Sequence, residues 1–180
     1  MAIDRGYTML HTKSFDSPDM LFRHISNQDE KDFITLVTNP LYGQFSPFGT
    51  ITQQTAQDAF KTILSNYENE TYEFWAVIDK KANTFAGFSG FYPVSFEDQL
   101  EEMFFMGLQQ QYWEGFFSLN VAKLACNDAF TIKKIPKLIS FINPSDIASL
   151  NCAIQLGAQF EKTTKFFGTT VFLFSIEKNT

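Results

Sequence analysis

Between Met103 and Gly157 the chain runs twice through the order strand, turn, helix, and this repeated order restricts the fold more than any other feature. Met103 to Leu108 is an apolar run of strand length. Trp113-Glu114-Gly115 breaks it, and from about Phe117 to Phe130 the residues Val121, Leu124, Ala125 and Ala129 recur at helical spacing. The second pass begins at Lys137 to Ile142, another strand. Asn143-Pro144-Ser145-Asp146 then supplies a turn and a helix cap, and a helix from Ala148 to Leu156 closes at Gly157.

The flanking segments extend the same alternation. Residues 20 to 25 read as a strand, and Ser26 with Asp29 and Glu30 marks a helix start that carries to about Thr38. Asn39-Pro40 ends that helix. A second amphipathic helix covers Gln53 to Tyr67, with Ala56, Ala59, Phe60, Ile63 and Leu64 on one side. Phe74 to Ile78 and Phe85 to Tyr92 read as antiparallel strands joined by a turn at Asp79 to Asn83, and the acidic stretch Glu97 to Glu102 leads into the strand at Met103. Phe160 to Phe167 and Val171 to Ile176 alternate as a hairpin around Gly168. The fold class that accommodates this order is α/β, in the mixed α+β sense: a central mixed sheet with helices on both faces. No internal repeat and no Gly/Ser/Pro-rich linker divides the 180 residues, so one domain over 1–180 is expected.

Composition narrows the partners. A formal net charge of -6 opposes broad attraction to phosphate backbones or anionic lipid, so neither nucleic acid nor membrane is expected, whereas amines would be drawn in. With 22 Phe residues the chain can build a large dry core or an apolar groove. Cys126 and Cys152 lie in apolar surroundings with no CxxC spacing, which predicts buried thiols and no metal site. The opening residues hold no basic segment followed by an apolar run, and the expected location is cytoplasmic. Asn69-Glu70-Thr71 matches a glycosylation sequon, without meaning in that compartment, and His11 and His24 fall in or before the first strand, remote from the candidate site. The chain is expected to be a monomer or a homodimer.

Two blocks carry a family resemblance. Trp113-Glu114-Gly115-Phe116-Phe117-Ser118 through Ala129-Phe130 resembles the segment Trp-Gly-Lys-Gly-Tyr-Ala to Ala-Phe of RimJ/RimL-like acetyltransferases of the GNAT superfamily. Pro144-Ser145-Asp146-Ile147-Ala148-Ser149, followed by Leu156-Gly157, is similar to that family's Pro-x-Asn-x-x-Ser turn and the Leu-Gly-Phe after it. The likeness extends over roughly residues 20–176. It implies the GNAT fold, a mostly antiparallel sheet in which the strands ending near Leu108 and Ile142 are adjacent, parallel and splayed at their carboxyl ends. It also implies an N-acetyltransferase that moves an acetyl group from acetyl-CoA to a primary amine, a protein N-terminus or a small amine, by direct attack in a ternary complex. The alternative is a non-catalytic module of the same fold that binds acyl-CoA, another ligand or a protein partner.

By the same resemblance, the loop and helix start at Glu114, Gly115, Phe116, Phe117 and Ser118 would hold the CoA diphosphate, because unpaired N–H groups at a helix N-terminus suit an anion. Glu114 and Phe116 stand where the family has glycines; a one-residue shift would align Gly115 with the second of them. Met106 and Leu108 would pair through their backbone with the pantetheine arm. Asp146 occupies the position of an Asn that binds the same arm, and Ser149 is retained as a possible donor to the cofactor. Glu101 and Glu102 are the nearest candidates for a base, and Ala153 stands where some relatives carry an acidic Tyr.

Overall fold

The computed structural model describes residues 14–69 and 73–178. Eight strands form one sheet: β1 (Ser14–Asp16), β2 (Met20–His24), β3 (Glu73–Asp79), β4 (Thr84–Phe96), β5 (Gln99–Leu108), β6 (Lys137–Ile142), β7 (Gln159–Phe166) and β8 (Thr169–Glu177). Their order is β1-β2-β3-β4-β5-β6-β8-β7, with every pairing antiparallel except β5 with β6. The helices are α1 (Glu30–Val37), α2 (Pro40–Phe45), α3 (Gln53–Asn69), α4 (Phe116–Asn127) and α5 (Ile147–Leu156).

Strand alternation divides the side chains between two layers. Phe74, Ala76, Phe88 and Phe105 face α1 and α3, where they pack with Phe33, Leu36, Phe60 and Ile63. Trp75, Val77, Phe91 and Leu108 point the other way, onto Val121, Ala125 and Ala129 of the α4 segment. Helix α5 packs beside α4 through Cys152 against Leu119 and Ala122. The first helical stretch is anchored as its sequence promised: the Ser26 N–H donates to Asp29 Oδ2 at 2.8 Å, and Arg23 grips both oxygens of Asp29 at 2.7 and 2.8 Å.

One expectation needs correction, and two elements were not anticipated. The acidic stretch does not precede β5 but opens it. Glu97 and Asp98 both take positive φ, 49° and 61°, forming a two-residue hairpin turn whose twist suits the flanking strands. The ladder therefore continues to Phe96↔Gln99, and Glu101 and Glu102 lie inside the strand. Asn39-Pro40 ends α1 but also starts α2, since the Asn39 side chain accepts from the Leu41 N–H at 2.9 Å and Pro40 sits at the first helical position. The short strand β1 was not anticipated either. His11 and most of the 69–71 sequon lie outside the described residues.

Beyond α4 the helix widens into a π turn, Asp128–Ile132. The following Lys133 is fully buried and donates to Glu73 Oε1 at 2.6 Å, with Asp128 Oδ2 at 4.0 Å. This ion pair ties the far end of the α4 segment to the start of β3.

Candidate active-site cleft

Strands β5 and β6 lie side by side and parallel, yet they meet in register only at Met103↔Ile139. The Ser140 hydroxyl still reaches the Phe104 carbonyl at 3.1 Å, after which the strands part. On the other side of β5, the Gln109 N–H donates to the Ala86 carbonyl at 2.8 Å, and this sets the alternation of the antiparallel ladder. Phe105 and Gly107 thus turn their backbone groups to β4, while Phe104, Met106 and Leu108 turn theirs toward β6. The Leu108 carbonyl accepts from the Trp113 indole at 2.6 Å. Met106, between the two, presents its N–H and C=O to the gap.

A cavity of about 630 Å³ occupies the gap and is lined from both faces of the sheet. Phe104, Met106, Trp113, Ser118, Ala122, Cys152 and Ala153 border it on the α4–α5 side, and Phe33, Ala59, Ile63, Phe74, Phe88 and Phe105 on the α1–α3 side. Because one cavity touches both layers, it passes through the sheet where β5 and β6 separate. The segment 40–49 lies across this passage and contributes Tyr42, Phe45 and Phe48 to it. It is held by the Asn143 side chain on the Gln44 carbonyl (3.3 Å), by Phe45 edge-on to Trp113 (5.9 Å), and by Phe48 against Phe167 (5.2 Å).

At the α4–α5 side the cavity reaches the start of α4. Gly115 adopts φ 86°, ψ -158°, a region open essentially to glycine alone, and a Cβ there would meet nothing within 4 Å. Conformation, not crowding, demands the glycine. No side chain caps α4, so its first-turn N–H groups remain open to a ligand. Glu114 and Phe116 are exposed, Phe116 at 83%. Phe117 packs tilted against Tyr112, and the buried Ser118 hydroxyl is turned inward onto the Trp113 carbonyl at 3.2 Å and the Gly115 carbonyl at 3.5 Å. Ser118 therefore closes the loop upon itself.

The other expected residues divide sharply. Asp146 and Ser149 both line the cavity, but Asp146 Oδ1 accepts from the Ser149 N–H at 3.0 Å and caps α5. Burial, then the nearby Asp146 charge, raises the Tyr42 hydroxyl pKa; the same causes, burial first, push Cys152 up to about 11, and burial with Cys152 nearby pushes Cys126 to about 12. Neither thiol is ionised at neutral pH. Glu101 pairs with Lys137 at 2.7 Å, Glu102 is buried, and neither borders the cavity. His24 stacks on Tyr67, away from the cavity. Among the described residues no cluster of three or more His, Cys, Asp or Glu side chains is arranged to hold a metal, and no helix is long and apolar enough to cross a membrane. Tyr42 and Phe45 were missed in the sequence, although the cap-and-proline signature at Asn39-Pro40 announces the helix that carries them.

The family described as Acetyltransferase (GNAT) domain matches residues 19–159. No curated protein matches the sequence at a significant level. Among solved structures, an acetyltransferase from Agrobacterium tumefaciens str. C58 superposes with a TM-score of 0.78 at 13% identity, covering 97% of this chain and 99% of its own. A spermidine N-acetyltransferase from Vibrio cholerae in complex with CoA and spermine gives 0.75 at 11% identity, covering 89% and 96%. A putative ribosomal-protein-serine acetyltransferase from Vibrio cholerae gives 0.73 at 13% identity, covering 92% and 97%.

Proposed function

Because the chain belongs to the GNAT acetyltransferase family, we propose that it transfers an acetyl group from acetyl-CoA to a primary amine by direct attack in a ternary complex. The observation that carries this reading is the cavity running through the parted strands β5 and β6, which lets donor and acceptor approach one carbonyl from opposite faces of the sheet. The residues fit the donor. Met106 offers its backbone groups as a strand edge for the amides of the pantetheine arm, beside Leu108. The uncapped start of α4, with Gly115, Phe116 and Phe117 contributing backbone, suits the diphosphate. Asp146 and Ser149 line the cavity at the start of α5, where they would border the arm. Ser118 acts indirectly, by holding the loop in shape. Glu101 and Glu102 would reach an amine only through intervening water, because both stand outside the cavity lining.

Chemically, the amine nitrogen attacks the thioester carbonyl, the carbon–sulfur bond breaks, and the proton shed by nitrogen ends on the CoA sulfur. Thermal unfolding with and without acetyl-CoA tests the binding half: a ligand held by the native state alone raises the melting temperature. Release of free thiol across a panel of amines and peptides tests turnover. A folded sample with no thermal shift at millimolar acetyl-CoA would sink the reading. A non-catalytic module that binds acyl-CoA is the second reading, favoured by the position of Glu101 and Glu102 outside the cavity. A thermal shift without thiol release would select it.

A further inference from the structure

The half of the cavity beneath α1 and α3 is walled by Phe33, Phe74, Phe88 and Phe105, with Ala59 and Ile63 behind them. Among the described residues, Asp146 alone of all lining side chains is a carboxylate, ammonium, guanidinium or imidazole; its charge is felt at Tyr42, whose ring meets Phe88 at 6.3 Å, but the carboxylate itself is engaged in capping α5. An ammonium group buried against Phe33, Phe74, Phe88 and Phe105 would lose its water with no carboxylate or imidazole among those wall residues to offset its charge or take its proton. A polyamine, with several such charges, meets that penalty repeatedly.

An acceptor that escapes both difficulties is uncharged before it binds and apolar in body. We infer that the cavity accepts a neutral, weakly basic aromatic amine, an arylamine, with its ring among Phe33, Phe74, Phe88 and Phe105 and its nitrogen toward the β5–β6 gap. Ring-on-ring contact in offset or edge geometry provides selectivity beyond apolar burial. Phe74 and Phe88 already stack at 5.0 Å, with Phe33 tilted against Phe88 at 5.5 Å, so the walls are aromatic rings packed on one another. Its nitrogen carries a lone pair at neutral pH, so attack on the thioester requires no prior deprotonation. The C–N bond forms, the C–S bond breaks, and the nitrogen's proton passes to the departing thiolate, giving an anilide and CoA thiol. This inference rests on acyl transfer at the same cavity.

The test begins with calorimetric titration of the full-length protein with acetyl-CoA, followed by thiol release with aniline, 2-aminonaphthalene, 2-phenylethylamine, spermidine and an alanine-initiated peptide. Mass spectrometry identifies each amide. The arylamines are expected to exceed spermidine in kcat/KM by about 100-fold or more, in line with discrimination by a pocket that rejects a mismatched group. Ala59→Phe, which fills the aromatic half, is expected to lower arylamine kcat/KM about tenfold while leaving the acetyl-CoA dissociation constant unchanged. Thr55→Phe, from an exposed lining position, provides the same test if the first variant does not fold. Binding of acetyl-CoA with spermidine, the peptide or phenylethylamine as the best acceptor, or with no arylamine turnover, would overturn the inference. So would an Ala59→Phe or Thr55→Phe enzyme with unaltered arylamine kinetics. Absence of acetyl-CoA binding would instead bring down the acetyl-transfer reading itself.

Discussion

Removing the cation from the buried Lys133–Glu73 pair should destabilise the protein far more than any surface change. Lys133 has no exposed side-chain surface and Glu73 has 1%, and Asp128 stands 4.0 Å from the same nitrogen. Lys133→Met therefore removes the cation that faces two buried carboxylates, Glu73 and Asp128. Breaking a buried pair on one side costs about 3–5 kcal/mol. For a chain of this length each kcal/mol lowers the melting temperature by about 2–4 °C, so the expected fall is about 6–20 °C. Calorimetry at neutral pH measures it, with denaturant unfolding as a second reading. The double variant Glu73→Leu/Lys133→Met should be more stable than the sum of the two single losses predicts, because neither charge then lacks the other. A Lys133→Met protein within about 1 kcal/mol of wild type, or strict additivity in the double variant, would refute the argument that the pair is dry and coupled. The consequence reaches the cleft, since this pair fixes the end of the segment whose other end opens at Gly115.

Further outcomes follow from individual residues. Glu114→Lys should bind acetyl-CoA about fivefold more tightly at low salt, with the gap narrowing as salt rises, because an exposed charge near a diphosphate acts through screened Coulomb forces; equal dissociation constants in calorimetric titration would show that Glu114 points away from the phosphates. Cys126 and Cys152 should react with a thiol reagent at pH 8 far more slowly than free cysteine, since burial keeps both protonated, and Cys152, which borders the cavity, should react first. Rapid labelling of both in native protein would contradict that packing. Burial pushes the Asp29 pKa up, but hydrogen bonds from Arg23 and Ser26 outweigh it and hold the group below its ordinary value. Its folded pKa being the lower one, the stability it contributes is fully present above the unfolded value of about 4 and is lost as pH falls through the folded value. Acid titration of Asp29→Asn should accordingly lack part of the wild-type loss below that pH; identical acid profiles would remove Asp29 from the account.

How much of this was legible beforehand differs element by element. The strand at Lys137–Ile142, the Asp146 cap and the stop at Gly157 are local events, each decided by side chains within a few residues of one another, and the sequence states them directly. The same holds for α4 and for the glycine before it, whose backbone angles only that residue adopts with ease. Charge ordinarily marks a loop, so the sequence puts Glu101 and Glu102 in the stretch that leads into a strand. Their place inside β5 depends on a hairpin turn at Glu97-Asp98 and on Lys137, which is distant in the chain and adjacent in space. Lys133 and Glu73 are separated by 60 positions, so nothing in their neighbourhoods announces a buried pair.

The cleft itself belongs to the tertiary structure. Periodicity can say that Met106 and Phe105 face opposite sides of a strand, but not that β6 abandons β5 after a single registered pair. Nor can it say that Phe33 from one helix and Phe88 from a strand enclose one space with Trp113 from beyond the sheet. Local sequence determined which segments are helix or strand and which face of each is apolar, because those choices are settled by neighbouring residues. Where the faces meet, and where they leave room, was decided only when strands far apart in the chain took their order in the sheet.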